Sequence, residues 1–470
     1  MGLGGFKKGS GVSSAVFLAS HGADLTITDL KNEKELASNL GALKKYKNIK
    51  YLLGGHQEKD FMETDWVVRN PDVPPSSPFL TIARKKGISI DNDITLFFRE
   101  YGVDKVIGVT GTRGKSTTTA LIHAMIKEQF KKAQLGGNIG ESPLRFLPRH
   151  PEQSEGSYKQ KEPVVLELSN FQLSDLDTIK MSPHIAVWTN LYPDHLNKYP
   201  SMQEYEADKM KIFQYQKAGD VTILNWDNEG TKRVGQDLEK NGSEDRKVLW
   251  FSLKKKIKNG AFIKDGYFVF VENNQETKVG KISATKLLGE HNLANTLAAI
   301  CAARSFGINW GAIKKAISTF KGVPNRLEFV REVKGVKIFN DCTATSPQAT
   351  MAALQSFPAG KIILITGGNS KGSPIQEMAK LIAQKTKVVV LMPGKVNEEL
   401  CHVILSEARS AKSKDLLPII DAETLKEAVK KSLALSQKGD VILLSPGLTW
   451  LPRQNEFARG EEFVKLIKKI

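Results

Sequence analysis

Short apolar runs alternate with stretches of helical spacing along the whole chain. Near the start, residues 12–21 keep a helical pattern, and residues 23–28 form an apolar run that predicts a strand ending at Asp29. A glycine-rich turn over residues 2–11 precedes this helix. The pattern predicts a β-turn-α-β unit of the doubly wound type, and its opening strand would have to precede Gly2.

The same alternation continues to the C-terminus and predicts parallel α/β sheets. Predicted strands cover residues 106–109, 164–166, 185–188, 361–365, 388–391 and 441–444, with a helix over 375–384 and a polar surface loop over 148–162. We therefore expect three α/β domains: a Rossmann-like domain over 1–102, a central parallel-sheet domain over 103–321 and a second Rossmann-like domain over 322–470.

Composition and charge narrow the function classes. The chain is 40% hydrophobic and 25% charged, as globular proteins are, and it has no apolar run of the ~20 residues that a membrane span needs. No signal-peptide pattern opens it, and its three cysteines lack metal-binding spacing, so we expect a cytoplasmic protein. The net charge of +17 is spread out without interleaved aromatic residues, which disfavours nucleic acid and membrane partners.

One glycine-rich segment carries the strongest chemical signal. Residues 108–117 read GVTGTRGKST, between a predicted strand and a predicted helix. Backbone N–H groups of such a P-loop cradle phosphates, Lys115 can reach the β- and γ-phosphates, and a following hydroxyl can bind Mg²⁺. A strict Walker A motif would have glycine at position 109, where this chain has valine. The predicted ATP ligands are Gly108, Thr110, Gly111, Thr112, Arg113, Gly114, Lys115, Ser116 and Thr117.

Two further polar residues follow predicted strands at the same sheet edge. Glu167 ends one strand and His195 lies shortly after another, where ligands collect in open α/β sheets. A carboxylate and an imidazole beside phosphates predict a magnesium site, because Mg²⁺ keeps waters and substrate oxygens in its remaining positions.

A series of motifs continues through the chain in a fixed order. They are GGNIG at 136–140, ELSNFQL at 167–173, NLYPDH at 190–195, Lys209 within 205–213, N-x-D at 225–227, GEHN-x-x-N at 289–295, Asn325-Arg326, ND-x-x-AT at 340–345, GG-x-x-K at 367–371 and LSP at 444–446. With the P-loop, this ordered set resembles the Mur ligase family over nearly the entire chain.

The resemblance implies an ATP-dependent, ADP-forming amide-bond ligase that activates a carboxylate as an acyl phosphate during peptidoglycan precursor synthesis. It implies a UDP-linked muramoyl donor, an amino acid acceptor expected to be D-glutamate, and ATP with Mg²⁺ as cofactors. We expect the working form to be a monomer.

The resemblance also implies roles for individual residues. By this resemblance the catalytic residues would be Lys115, Glu167, His195 and Lys209. The metal ligands would be Ser116, Glu167 and His195, together with Lys209 if it is carbamylated. Asn292, Arg326 and Asp341 would complete the ATP site. Substrate contacts would come from Ser10 and Gly11 near the diphosphate, Asp29 near the uridine, and Asn138, Thr345, Lys371, Thr449 and Phe457.

Several positions depart from the family pattern. Asp72 stands where glycine is usual, Asn325 replaces a histidine, and Thr343 replaces a lysine. The segment after Pro446 is one residue shorter, which leaves the identity of the acceptor less well specified than the reaction class.

Three other functions remain open from the residues. A folylpolyglutamate-type ligase would share the P-loop, but the glycine-rich first segment argues against it. An NAD-dependent oxidoreductase is suggested faintly by Gly4, Gly9, Gly11 and Asp29, although the G-x-G-x-x-G spacing is broken. A non-catalytic nucleotide switch would need the P-loop but not Glu167 and His195.

Overall fold

The chain folds into two compact units. The computed structural model describes residues 1–148, 161–195, 198–241, 246–369, 374–410, 417–448 and 455–470. The first unit contains residues 1–284 and 294–318, and the second contains residues 285–293 and 319–470. The three domain boundaries expected from the sequence stay a prediction.

The first hundred residues of the first unit contain two parallel strand pairs. The helices are α1 (Ser10–Ser20), α2 (Glu33–Leu40), α3 (Pro78–Lys85) and α4 (Asp93–Tyr101), and the strands are β1 (Leu25–Asp29), β2 (Ile49–Leu53), β3 (Trp66–Val68) and β4 (Ser89–Asp91). Strand β1 pairs with β2, and β3 pairs with β4. The Met1 amine donates to the Val68 carbonyl and the Gly2 N–H donates to the Thr28 carbonyl. The first residues therefore connect the two pairs.

A nine-stranded sheet forms the centre of the first unit. Its order is β13-β12-β11-β10-β9-β8-β5-β7-β6, parallel except for the antiparallel pairs β11–β12 and β12–β13. The strands are β5 (Val106–Thr110), β6 (Gln134–Gly137), β7 (Val164–Glu167), β8 (Ile185–Trp188), β9 (Val221–Asn225), β10 (Lys247–Ser252), β11 (Gly260–Lys264), β12 (Tyr267–Glu272) and β13 (Gln275–Lys281). The helices of this region are α5 (Lys115–Gln129), α6 (Asn170–Leu173), α7 (Met202–Gln214), α8 (Glu229–Asn241), α9 (Glu290–Ser305) and α10 (Trp310–Thr319).

Burial explains the continuous apolar runs seen in the sequence. All residues of β5, β7 and β8 are buried, as expected for parallel strands covered by helices on both faces. One apolar cluster extends from Phe17 on α1 and Phe97 on α4 to Trp188 on β8. Helices of the first hundred residues thus share a core with the nine-stranded sheet.

The second unit contains a six-stranded sheet of order β14-β15-β19-β16-β17-β18. Within the described residues of this sheet, β14 and β15 form the one antiparallel pair. The strands are β14 (Glu328–Val333), β15 (Val336–Asn340), β16 (Ile362–Thr366), β17 (Thr386–Leu391), β18 (Ile419–Asp421) and β19 (Val441–Leu444), and the helices are α11 (Pro347–Gln355), α12 (Gln376–Lys385), α13 (Asn397–Ser410), α14 (Leu425–Leu435) and α15 (Glu456–Lys468). Apolar clusters lie on both faces of this sheet, which confirms the predicted α/β fold class.

None of the helices in these ranges has the length and apolar character that crossing a bilayer requires.

Candidate active site

The predicted P-loop lies between β5 and α5, as the sequence indicated. Gly111 has a φ of 147° and Gly114 has a φ of 82°, a region that favours glycine. A Cβ at Gly111 would lie 2.0 Å from Thr189 Oγ1, and one at Gly114 would lie 2.4 Å from Asn295 Oδ1. Both glycines are therefore required by backbone conformation and by close packing.

The segment after β8 holds the P-loop from one side. The Thr112 N–H donates to the Asn190 carbonyl at 3.0 Å, and the Arg113 N–H donates to Asn190 Oδ1 at 2.8 Å. Thr189 Oγ1 donates to the Arg113 carbonyl at 2.6 Å. This network fixes the loop before any phosphate binds, which reduces the entropy cost of organising a phosphate site.

Two lysine amines converge on one carbonyl of this loop. Lys115 Nζ donates to the Gly111 carbonyl at 2.9 Å and to the Thr112 carbonyl at 3.2 Å. Lys209 Nζ, on α7, donates to the same Gly111 carbonyl at 3.2 Å. Lys209 is 1% exposed, and its burial, together with the nearby Lys115 charge, holds the pKa of the Lys209 amine well below its usual value.

Glu167 ends β7 with its carboxylate buried beside the P-loop strand. Asn138 donates to it from the side-chain amide, to Oε1 at 2.8 Å, and from the backbone N–H, to the carbonyl at 2.8 Å. The second carboxylate oxygen, Oε2, is buried and has no hydrogen-bond partner in the described part of the chain. An unpaired buried carboxylate oxygen is costly, and a bound cation would relieve that cost.

His195 lies among aromatic rings and cationic groups. Its backbone is strained, with a φ of 56°, and its ring contacts Phe171 and Tyr205 at centroid distances of 5.3 and 6.1 Å. Burial lowers the pKa of His195, and Lys209 and Lys115 lower it further while Asp194 opposes the shift. A neutral imidazole, which can ligate a metal, is thus favoured at neutral pH.

Tyr205 lies beside the P-loop and Lys209, and it was not among the site residues predicted from the sequence. Its hydroxyl lies 3.2 Å from Thr112 Oγ1, and Lys209 Nζ lies 4.6 Å from the centre of its ring. Tyr205 and Lys209 are four residues apart on α7, so they share a helix face. That spacing is the signal that could have identified the tyrosine.

The predicted substrate residues of the first hundred positions surround the glycine-rich turn. Ser10 and Gly11 open α1, and a Cβ at Gly11 would lie 2.5 Å from the Gly2 and Leu3 carbonyls. The Asp29 carboxylate is 7% exposed and accepts from the N–H groups of Leu3 and Lys31 at 2.7 and 2.9 Å. Asp29 therefore stabilises the turn.

Other predicted residues lie in the second unit. Asp341 is buried and accepts from the Leu327 N–H and from Ser445 Oγ, both at 3.0 Å, and burial raises the pKa of its carboxyl to about 7. Arg326 is exposed between Asn325 and Leu327, both at positive φ. Asn292, Thr345 and Phe457 are also in this unit, with Phe457 43% exposed. Lys371 and Thr449 lie outside the described residues.

Comparison with known proteins decides the family. Models of the Mur ligase MurD-like N-terminal domain, the Mur ligase middle domain and the Mur ligase glutamate ligase domain match residues 1–91, 109–303 and 325–448. A Roseiflexus sp. (strain RS-1) protein named UDP-N-acetylmuramoylalanine--D-glutamate ligase is 37% identical, with 100% of this chain and 97% of the relative covered. A protein of the same name from Acetivibrio thermocellus is 38% identical, with coverage of 97% and 93%. The chain belongs to the Mur ligase family.

Solved structures agree with this Mur ligase fold. The UDP-N-acetylmuramate-alanine ligase of Thermotoga maritima matches with a TM-score of 0.58 at 21% identity, and 98% of this chain and 97% of that chain are covered. The MurF ligase of Thermotoga maritima in complex with ADP matches with a TM-score of 0.54 at 20% identity, covering 94% of each chain. The predicted family and fold class of this Mur ligase are confirmed.

Proposed function

We propose that this Mur ligase adds D-glutamate to UDP-N-acetylmuramoyl-L-alanine during peptidoglycan precursor synthesis, in the cytoplasm. It is an ATP-dependent ligase that forms ADP, and the two relatives described above carry the name of this reaction. The observation that carries the proposal is the convergence of Lys115 and Lys209 on the P-loop, one strand away from the partly unpaired carboxylate of Glu167.

The reaction would proceed in two steps, phosphorylation of the donor carboxylate and attack of the acceptor amine on the acyl phosphate. The terminal carboxylate of the donor attacks the γ-phosphorus of ATP, so that a carboxyl oxygen–phosphorus bond forms and the bond to the leaving ADP breaks. The amine of the acceptor then attacks the acyl carbon, the tetrahedral adduct expels phosphate, and the amine loses a proton. The P-loop N–H groups and Lys115, after leaving the Gly111 carbonyl, stabilise the charge on the transferred phosphoryl group.

The residues beside the P-loop fit a divalent cation. Ser116, Glu167, His195 and a carbamylated Lys209 would hold Mg²⁺, which supplies charge neutralisation next to the phosphates when bound. The unpartnered Oε2 of Glu167 and the neutral His195 ring suit this role. In the described ranges no three His, Cys, Asp or Glu side chains lie close enough together to hold a metal ion by themselves.

Lys209 has the electrostatic setting that carbamylation needs. The neutral amine is the form that adds to CO₂, forming an N–C bond and releasing one proton, and burial favours this form by lowering the pKa of the Lys209 amine well below its usual value. The product is an anion, which would form an opposite-charge pair with the neighbouring Lys115 cation.

The remaining predicted contacts are part of the same proposal. Ser10, Gly11, Asp29 and Asn138 would serve the UDP-linked donor. Asn292, Arg326 and Asp341 would contact ATP, and Thr345, Lys371, Thr449 and Phe457 would contact the acceptor.

The test is ADP release by the purified chain with MgATP and UDP-N-acetylmuramoyl-L-alanine, screened against D-glutamate, L-glutamate and other amino acids. We expect turnover that requires both donor and D-glutamate, and loss of roughly a thousandfold or more for Lys115→Ala. Turnover with a different amino acid would correct the acceptor. A rate of ATP hydrolysis that is the same with and without the donor and the acceptor would instead indicate a nucleotide switch.

A further inference from the structure

An ion pair joins the turn before α1 to the segment after β6. Lys8 Nζ donates to Glu141 Oε1, and the Ser142 N–H donates to the Lys8 carbonyl at 3.1 Å. Glu141 Oε2 also accepts from Arg145 Nε at 3.1 Å. The Lys8 and Arg145 cations together lower the pKa of the Glu141 carboxyl, with the Lys8 hydrogen bond as the largest cause. Two cations therefore share one carboxylate.

Lys8 directly precedes a helix start that is suited to anions. Gly9 is the N-cap of α1, no side chain in the described structure caps this helix, and its first turn has no acidic residue. The first N–H groups of α1 thus remain available to a negatively charged ligand, and the helix dipole favours one there. Lys8 is next to Gly9 in the chain, and its flexible four-carbon stem would allow its ammonium to turn from Glu141 toward a ligand bound there.

The ion pair can exchange partners at little cost. The side chains of Lys8 and Glu141 are 58% and 35% exposed, and solvent-exposed pairs contribute little to stability. When Lys8 leaves, Arg145 still neutralises Glu141. A diphosphate offers Lys8 a doubly charged acceptor, which binds an ammonium more strongly than one shared carboxylate does.

We propose that Lys8 is a donor-recognition residue, which pairs with Glu141 in the free protein and moves to the diphosphate of the UDP-linked donor on binding. This inference rests on the proposed function, and it adds a donor-binding residue that lies outside the motifs described above. Glu141 is the resting partner that competes with the donor for the lysine.

The segment that carries Glu141 also supports the catalytic carboxylate. The Gly137 N–H donates to the Glu141 carbonyl at 2.8 Å, and the neighbouring Asn138 holds Glu167 through both its backbone and its side chain. The backbone bond from Ser142 to Lys8 does not depend on the lysine side chain. We therefore expect the exchange to change donor affinity while Asn138 keeps Glu167 in place.

The proposal is tested with substitutions at Lys8 and Glu141, which are expected to affect donor affinity differently. Binding of UDP-N-acetylmuramoyl-L-alanine to the full chain is measured by calorimetry at two salt concentrations. Lys8→Ala and Lys8→Gln should each weaken binding by about tenfold, the scale of one lost charge-assisted hydrogen bond, and should reduce its salt dependence. Glu141→Gln should leave binding unchanged or tighten it, because the competing carboxylate is gone. Lys7→Ala, which removes a neighbouring exposed lysine, is the matched control.

Two results would overturn the proposal. If the Lys8 variants bind the donor as Lys7→Ala does, Lys8 does not contact the diphosphate. If Glu141→Gln weakens binding as much as Lys8→Ala, the ion pair only holds the two segments in place and Lys8 does not bind the donor. Failure of the wild-type chain to bind the donor would instead reject the proposed function itself, so the two failures are distinguishable.

Discussion

At the scale of single residues, the site depends on groups whose ionisation is changed by burial. Lys209 is the clearest case, since its amine is buried beside a second lysine and has a strongly lowered pKa. A lysine whose pKa is lowered in this way is less able to neutralise phosphate charge than an ordinary lysine. In the carbamylation proposed above, CO₂ would convert this amine into an anion, and this makes the residue a specific target for substitution.

We expect Lys209→Ala to lower kcat by roughly a hundredfold or more, because a charge held next to the phosphates is lost. Acetate or formate added to this variant should restore part of the rate by occupying the space of the carbamate. Lys217→Ala, an exposed lysine following the same helix, serves as the control. Full activity of Lys209→Ala would rule out carbamylation as a functional feature.

Asp341 gives a second prediction at this scale. Burial raises the pKa of its carboxyl to about 7, so the group is protonated below neutral pH and ionised above it. An ionised carboxylate accepts hydrogen bonds from ribose hydroxyls better than the acid does. Apparent ATP affinity should therefore increase by up to about tenfold from pH 6 to pH 8, as the ionised fraction rises.

The ATP phosphates also titrate in this pH range, and they do so equally for the wild type and for Asp341→Asn. The difference between the two proteins therefore isolates the contribution of Asp341. The variant should show a flatter profile than the wild type when ATP KM is measured at each pH. If the ATP KM changes with pH in the same way for the two proteins, ionisation of Asp341 does not affect ATP binding.

At the scale of elements, the order of strands and helices was predictable and many contacts between them were not. The apolar runs at 185–188 and 441–444 coincide with β8 and β19, since buried parallel strands leave a continuous hydrophobic signal. The P-loop was equally visible, because its glycines and lysine all lie within residues 108–115. Polar partners such as Thr189 for Arg113, or Glu141 for Lys8, come from distant segments, and no local pattern encodes their pairing.

The turn after β6 offers a prediction at the element scale. Gly137 has a φ of 88°, and a Cβ there would lie 2.2 Å from the Glu167 carbonyl oxygen, a backbone atom that cannot move freely. Gly137→Ala should push the turn away from β7, break the bonds from Asn138 to Glu167, and lower both kcat and the free energy of unfolding, the latter by about 2 kcal/mol or more.

The control for this change is Gly280→Ala on β13, where nothing lies within 4 Å of the added Cβ. Thermal unfolding and ADP release are measured for both variants. If the two variants unfold at the same temperature and release ADP at the same rate, neither stability nor activity requires the close approach of Gly137 to Glu167.

At the scale of the whole molecule, a buried ion pair joins the first hundred residues to the nine-stranded-sheet region. Arg69 is 1% exposed and contacts Asp175 from Nε at 2.8 Å, while its Nη2 donates to the Phe171 carbonyl and to Ser174 Oγ at 2.9 and 2.8 Å. Asn92 donates to the same Asp175 oxygen at 2.8 Å. Burial raises the pKa of Asp175, and Arg69 opposes that shift. The network predicts that these regions unfold together.

Arg69→Met should cost about 3–5 kcal/mol of unfolding free energy, because it leaves the Asp175 carboxylate buried without its cation. The loss should be smaller at pH 5 than at pH 8: a carboxyl whose folded-state pKa lies above its unfolded value stabilises the fold at low pH, and that contribution disappears as the pH rises. Replacing both partners, as Arg69→Met with Asp175→Leu, should recover much of the stability, since no buried charge remains. Urea unfolding followed by tryptophan fluorescence reports on this unit, which contains Trp66, Trp188, Trp226, Trp250 and Trp310. A double variant no more stable than Arg69→Met would show that the arginine acts through its bonds to Phe171 and Ser174, and that its pairing with Asp175 contributes little to joining the two regions.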